Sequence, residues 1–321
     1  GYNLANSSLL DESTAAAEAM RMMLELRPRP FVKENRNVLL ADKNMFPQTL
    51  AVMETRAEGL GIQIITEDLS GDPLPVIEKH ASRLFGIMVQ YPGADGLLSD
   101  YTELCKEAHK RELLVTAACD LLALAVLQEP AAWGADIAVG SAQRFGLPLG
   151  FGGPITGYIA CSDKYRRNLP GRIVGLSVDR LGKPAYRLAL QTREQHIKRE
   201  KATSNICTAT ALMATMAGMF AVYHGSKGIR EIAQNGRYYA HVAAGILAAN
   251  GFTVKHENFF DTIELTGVDA ARIKANAQTL KINFFYPDSQ SVRMSFDELS
   301  NDRELETILE IFTISRGKHR Y

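Results

Sequence analysis

Apolar residues along the chain gather in short, mostly unbroken runs: NVLLAD (37–42), IQIITED (62–68), LFGIMVQYP (84–92), LLVTAACD (113–120) and ADIAVG (135–140). Each is too short for a buried helix. Apart from IQIITED, they are also too continuous for a strand with one wet face, which would alternate apolar and polar. Between them lie segments with helical spacing, such as PQTLAVMETRAEGLG (47–61) and YTELCKEAHKRE (101–112), where Leu104, Ala108 and Glu112 mark one face. Strand and helix alternating at this interval predict an α/β fold built on a mainly parallel sheet. GYIACSD (157–163) reads as a returning strand, and DESTAAAEAM as an early helix.

The pattern then changes. Residues 192–224 begin polar, end small and apolar, and read as a long helical region. After Gly225 and Gly228 comes a helix over 230–250, then FTVKHE, DTIELTG, DAARIKANAQTL, INFFYPD, SVRMSF and a last helix near 302–312. This predicts a large domain over 1–225 and a smaller C-terminal α/β domain over 226–321. No short-period repeat is present. The first twenty residues lack the layout of a signal peptide, and the expectation is a chain cut from a longer one, its native N-terminal segment missing.

Composition narrows the classes. The chain has 321 residues, of which 46% are hydrophobic and 22% charged, the balance of a globular protein. Lys plus Arg equals Asp plus Glu at 36, so the formal net charge is zero and neither nucleic acid nor an anionic membrane is an expected partner. No apolar run reaches the length of a membrane span. The four cysteines, 105, 119, 161 and 207, stand apart without a C-x-x-C, which predicts no metal site and a reducing compartment.

Three segments hold candidate chemistry. GSAQRFGLPLGFGGP (140–154) is glycine-rich and follows a strand, a context in which backbone N–H groups often cradle phosphate. It has neither the P-loop nor the dinucleotide-binding spacing, so the pattern alone favours a tight turn. The basic run Arg193, His196, Lys198, Arg199, Lys201 is either a solvated helix face or part of an interface facing an anion. In TSNICT (203–208), Ser204 or Asn205 either caps the helix that follows or donates to a phosphate at its N-terminus.

DESTAAAEAM, GSAQRFGLPLGFGGP, PGRIVGLSVDRLGKPAYRLALQTREQHIKREKATSNICT and AVYHG, in this order, resemble the P-protein of the glycine cleavage system, glycine dehydrogenase (decarboxylating). The resemblance covers nearly the whole chain and is strongest over 134–225. It implies the aminotransferase-like fold, that of type I pyridoxal-phosphate-dependent transferases, with a large domain and a smaller C-terminal one. It also implies the N-terminal half of a two-half enzyme. The lysine that anchors the coenzyme belongs to the other half, and Gln143 stands at its position here. An amide nitrogen is not nucleophilic and cannot make that bond. Ala118 falls where an aspartate would face the pyridine nitrogen, with Asp120 two residues on. The helix whose N-terminus would take the phosphate starts with Asp11 and Glu12. Each carboxylate–phosphate charge pair there costs about 1–4 kcal/mol at ~4 Å.

The resemblance therefore implies that this half has no catalytic residue and holds no cofactor by itself. Pyridoxal phosphate, glycine and the lipoyl H-protein belong to the complete enzyme, an oligomer in which the lysine-bearing C-terminal half is the direct partner. Ser204, Asn205 and Thr208 are the residues expected to reach the partner's coenzyme, and Arg193 and His196 those expected at the pocket or interface. Localisation is expected to be cytoplasmic in a bacterium, the favoured source, and in the mitochondrial matrix of a eukaryote. Two other readings stay open: a pure assembly module, and a self-sufficient enzyme using Lys164, Lys183 or Lys201. Without its partner the chain is expected to expose apolar surface.

Overall fold

A computed structural model describes all residues except 7, 172, 191–194, 203–209 and 316–321. The described residues fall into two compact units, Gly1–Tyr91 with Ser99–His224, and Pro92–Leu98 with Gly225–Tyr321.

In the first unit, seven strands of the described residues form one sheet in the order β1-β7-β6-β5-β4-β2-β3. They are β1 (Leu4–Ala5), β2 (Val38–Asp42), β3 (Gln63–Glu67), β4 (Leu84–Tyr91), β5 (Leu114–Cys119), β6 (Ile137–Ser141) and β7 (Gly157–Cys161). The pairs β2–β3, β2–β4, β4–β5 and β5–β6 are parallel; β7 returns antiparallel beside β6, and β1 lies antiparallel on β7. All of β2 and β4 is buried, as their unbroken apolar runs require. The helix over 101–112 is shorter than its pattern, Thr102–Lys110, because the chain turns at Glu112 with φ 56° and Glu112 leaves the apolar face.

Helix α1 (Glu12–Leu26) is alanine-rich, an intrinsically favourable helix composition, and Asp11 caps it by accepting the Thr14 N–H at 2.7 Å. Its face of Ala15, Ala16, Ala19, Met20 and Met23 is buried in the core that also holds Val139 and Ile159 of the sheet. Its start is pinned to the sheet. Leu9 and Gly157 exchange backbone hydrogen bonds at 2.9 Å, and a Cβ on Gly157 would lie 2.3 Å from the Asp11 carbonyl oxygen. Only glycine lets α1 begin this close to β7.

Between β7 and the region read as helical, 192–224, lies a hairpin that the pattern did not mark. Ile173–Val178 and Pro184–Leu190 form β8 and β9, an antiparallel hairpin apart from the main sheet. Gln195–Lys198 is one short helical turn. A helical stretch spans Ala211–Ala249 and is broken at Gly225, whose φ of 63° and ψ of 179° are not helical.

The second unit is an antiparallel sheet, β10 (Thr253–Val254), β11 (Thr262–Thr266) and β12 (Ser291–Ser295), packed with the helices Ala270–Thr279 and Asp302–Ser315. INFFYPD forms only a single bridge, Phe285 with Arg293, while the Phe284 ring packs 5.8 Å from Phe312. Pro92–Leu98 joins this unit through buried charge. Asp95 accepts from His256 at 2.7 Å and Lys255 at 3.0 Å, and Lys255 continues to Glu264 at 2.9 Å.

Candidate functional site

The carboxyl ends of parallel strands are where α/β sheets hold their ligands. Here the ends of β5 and β6 meet the start of α1. Asp120 follows β5 directly and takes the Leu122 N–H on Oδ1 at 2.9 Å. Its Oδ2 accepts a hydrogen bond from Arg144, four residues past the start of the glycine-rich segment. Both side chains are about a quarter exposed. Ala118, two residues earlier, is fully buried, and its carbonyl accepts from the Gln90 amide at 3.2 Å.

Glu12 faces this pair from α1. Burial pushes its carboxyl up to about 7 from a usual 4.5, and the charges of Asp120 and Asp11 push the same way. The Thr49 hydroxyl, 3.5 Å from Glu12 Oε1, opposes the rise, and Thr49 in turn lies 3.3 Å from Ser13 Oγ. Three carboxylates thus gather here, and the guanidinium is paired with Asp120. Below them β5 and β6 are in close contact: a Cβ on Gly140 would sit 2.1 Å from the Cys119 carbonyl oxygen, which accepts from the Tyr158 hydroxyl at 3.1 Å.

Several donors of the glycine-rich segment are spent locally. The N–H of Gln143 goes to Ser141 Oγ at 3.1 Å, Leu147 N–H to the Gln143 carbonyl at 3.0 Å, and Ala142 N–H to Thr156 at 2.8 Å. Gly152 and Gly153 both donate to the Leu149 carbonyl, at 2.9 and 3.0 Å, with φ of 110° and 133° that only glycine adopts easily. This is a self-satisfied turn, as the spacing alone favoured. It presents no nest of free N–H groups at these positions.

These residues do not fit pyridoxal phosphate. A phosphate at the start of α1 would meet Asp11 and Glu12, a pyridine nitrogen would find Asp120 already engaged, and Gln143 is an amide. Of the other lysines considered, the side chains of two are described. Lys164 lies 3.5 Å from Asp136, at the amino end of β6, and Lys183 is in the turn between β8 and β9. The Lys201 side chain, Arg193, Ser204, Asn205 and Thr208 lie outside the described residues, and so does the His196 side chain; its backbone is in Gln195–Lys198. Among the described residues no cluster of His, Cys, Asp and Glu is arranged to hold a metal ion, and no helix is long and apolar enough to cross a membrane.

Sequence reasoning missed Arg144 and Thr49. An arginine directly after Gln143, in the glycine-rich segment, was the available signal for the first. Nothing in the spacing marked the second.

Comparison with known proteins gives a consistent result. The family described as glycine cleavage system P-protein matches residues 1–312. Glycine dehydrogenase (decarboxylating) of Flavobacterium johnsoniae is 45% identical over 318 residues, 99% of this chain and 33% of the relative. Glycine dehydrogenase (decarboxylating) A, mitochondrial, of Flaveria pringlei is 44% identical over 317 residues, 98% of this chain and 30% of the relative. The chain therefore spans about a third of the length of these curated relatives. A crystal structure of glycine decarboxylase (P-protein) of the glycine cleavage system, in inhibitor-bound form, superposes with TM-score 0.88 at 31% identity, covering 98% of this chain and 72% of that one. An aspartate aminotransferase from Thermus thermophilus shares the fold at TM-score 0.63 and 16% identity.

Proposed function

The chain belongs to the glycine cleavage system P-protein family, and from that premise we propose that it is the portion of a glycine dehydrogenase (decarboxylating) that does not hold the coenzyme. In this reading the complete enzyme decarboxylates glycine on pyridoxal phosphate and passes the aminomethyl group to lipoyl H-protein. The coenzyme rests on a lysine of the partner portion. This chain supports and completes that pocket and is inactive alone. The observation that carries the proposal is the acidic corner itself: Gln143 in place of lysine, with Glu12 and Asp11 where a phosphate dianion would sit.

Ser204, Asn205 and Thr208 are assigned to reach the partner's coenzyme phosphate, and Arg193 and His196 to line the pocket or interface. Residues 1–225 form the large domain in this proposal and 226–321 the small one. A macromolecular partner is supported by the β8–β9 hairpin. The cross-strand pairs Val174–Leu188, Leu176–Tyr186 and Val178–Pro184 put six apolar residues on one face, and five of them are 46–82% exposed. A two-stranded hairpin is marginal by itself and stands when such a face is covered. The relatives include bacterial and mitochondrial proteins, which suits a cytoplasmic or matrix enzyme.

The test is reconstitution. The purified chain with pyridoxal phosphate and glycine is expected to show no visible band of lysine-bound coenzyme and to release no carbon dioxide. Mixing with the lysine-bearing portion of a relative is expected to restore both. In that assembly, Ser204→Ala with Asn205→Ala is expected to lower turnover at least about tenfold with assembly intact. Unchanged turnover would leave a pure assembly role. A chain that turns yellow and decarboxylates glycine unaided would overturn the proposal.

A further inference from the structure

Helix α1 carries further charge away from the acidic corner. Glu18 and Arg21, six and nine residues beyond Glu12, are turned from it by about 240° and 180° around the helix axis. On that side α1 lies beside the end of the helix Pro47–Glu58, and a cavity of about 190 Å³ opens between them. The buried part of its lining is Ala17 and Glu18, each 4% exposed. Arg21, Arg56, Gly59 and Leu60 line it nearer to solvent.

One buried carboxylate and two arginines give the cavity two opposite poles. Glu18 has a partner of its own within the fold. A carboxylate has about four lone-pair sites, so it accepts a further donor. Arg21 pairs with Glu25 at 3.2 Å, an exposed i,i+4 contact that a ligand carboxylate replaces at little cost. Arg56 has no ion-pair partner among the described residues, which leaves its planar fork for a carboxylate.

We propose that this cavity binds a small α-amino acid as the zwitterion, its ammonium group on Glu18 and its carboxylate on Arg21 and Arg56. Charge selects that class. A phosphate dianion gains the arginines but brings two negative charges against a buried carboxylate. A simple carboxylate or a simple amine uses one pole and leaves the other idle. Size selects it as well. At about 30 Å³ for each water displaced, the cavity holds roughly six waters, the bulk of a ligand of about six heavy atoms such as alanine. A ligand this small at a half-open site is expected to bind in the millimolar range. The inference stands apart from the proposed function. The cavity is lined by neither Gln143 nor the acidic corner, and its binding is read without coenzyme, partner portion or turnover.

Saturation-transfer NMR on the purified chain provides the test, with L-alanine, acetate and methylamine each read by its own methyl signal. L-alanine is expected to bind saturably with a Kd of the order of millimolar. Acetate and methylamine are expected to bind at least about tenfold more weakly. Arg56→Met, at an exposed position, is expected to weaken L-alanine at least about tenfold, with circular dichroism and melting unchanged. Glu18→Gln is expected to bring L-alanine down to the level of acetate without weakening acetate itself. Should that buried variant not fold, the contrast between L-alanine and acetate on the wild type carries the same information. No saturable binding up to about 100 mM L-alanine would overturn the proposal. So would an Arg56→Met chain that binds like the wild type, or acetate that binds as tightly as L-alanine. Inorganic phosphate that displaces L-alanine at a lower concentration than L-alanine itself requires would make the cavity a plain anion site and overturn it too.

Discussion

Strands β5 and β6 carry a carboxylate cluster at each end, and the two clusters are built on opposite principles. At the amino end, Asp136 is 8% exposed and surrounded by donors. It accepts from His109 Nε2 at 2.9 Å, the Val115 N–H at 3.0 Å and the Tyr165 hydroxyl at 3.1 Å, with Lys164 Nζ at 3.5 Å. At the carboxyl end, the charges of Asp11 and Asp120 both act on Glu12, Arg144 pairs with Asp120, and Glu12 has a long contact to Thr49. One acid among many donors is how a buried charge is made to stabilise a fold. Several acids around one cation leave charge uncompensated, and that arrangement is tolerated at the end of the sheet where ligands bind. The lesson is that the same two strands carry a compensated carboxylate at one end and a cluster of carboxylates at the other.

The sharpest way to break this contrast is to delete each acid in turn. Asp136→Ala strands a buried hydroxyl and a buried amide and frees a half-exposed imidazole, and is expected to cost about 3 kcal/mol. Asp120→Ala leaves a quarter-exposed guanidinium and the Leu122 N–H and is expected to cost about 1 kcal/mol. Urea unfolding at neutral pH reads both. Equal costs would mean that the two ends are built alike.

Acidity gives the next largest effect. The folded Glu12 carboxyl, at about 7 against a usual 4.5, binds its proton more tightly than the unfolded chain does. Its contribution to stability is therefore fully present below about pH 4.5 and is lost as pH rises through about 7. The loss is expected to be about 2 kcal/mol across that window, and Glu12→Gln is expected to remove most of it. Melting temperatures at pH 5 and pH 8 for both proteins check the sign. A wild type that gains stability over this interval through Glu12 would contradict it.

The contrast also marks what the sequence could and could not reveal. The buried strands were legible because a sheet covered on both faces needs unbroken apolar runs, and Val38–Asp42 and Leu84–Tyr91 have them. The β8–β9 hairpin was not legible, because its apolar residues alternate toward solvent and read as no buried element. Pro92–Leu98 could not be assigned to the second unit from pattern, since Asp95 finds His256 161 residues away. In the site, the amide of Gln143 and the acidic start of α1 were visible as residue types. The hydrogen bond from Arg144 to Asp120 was not, because it depends on how far β6 runs past β5, which spacing does not specify. Thr49 was hidden for the same reason, since it reaches Glu12 from a different helix.

Arg144 offers the finest test, because its role is defined by its neighbours. If the guanidinium holds Asp120 against the charge of Glu12, removing it matters only while Glu12 is ionised. Arg144→Met is therefore expected to cost about 1 kcal/mol at pH 8, where both carboxylates are charged, and clearly less at pH 5, where Glu12 carries its proton. In the Glu12→Gln background that pH dependence is expected to vanish, giving a coupling of several tenths of a kcal/mol in the double-mutant cycle at pH 8 and none at pH 5. Arg144→Lys separates charge from shape. It keeps the cation but loses the planar fork, so it is expected to retain most of the stability if the opposing charges decide the matter. A lysine variant as unstable as the methionine one would instead make the fork, bridging the end of β5 to the glycine turn, the reason for the arginine.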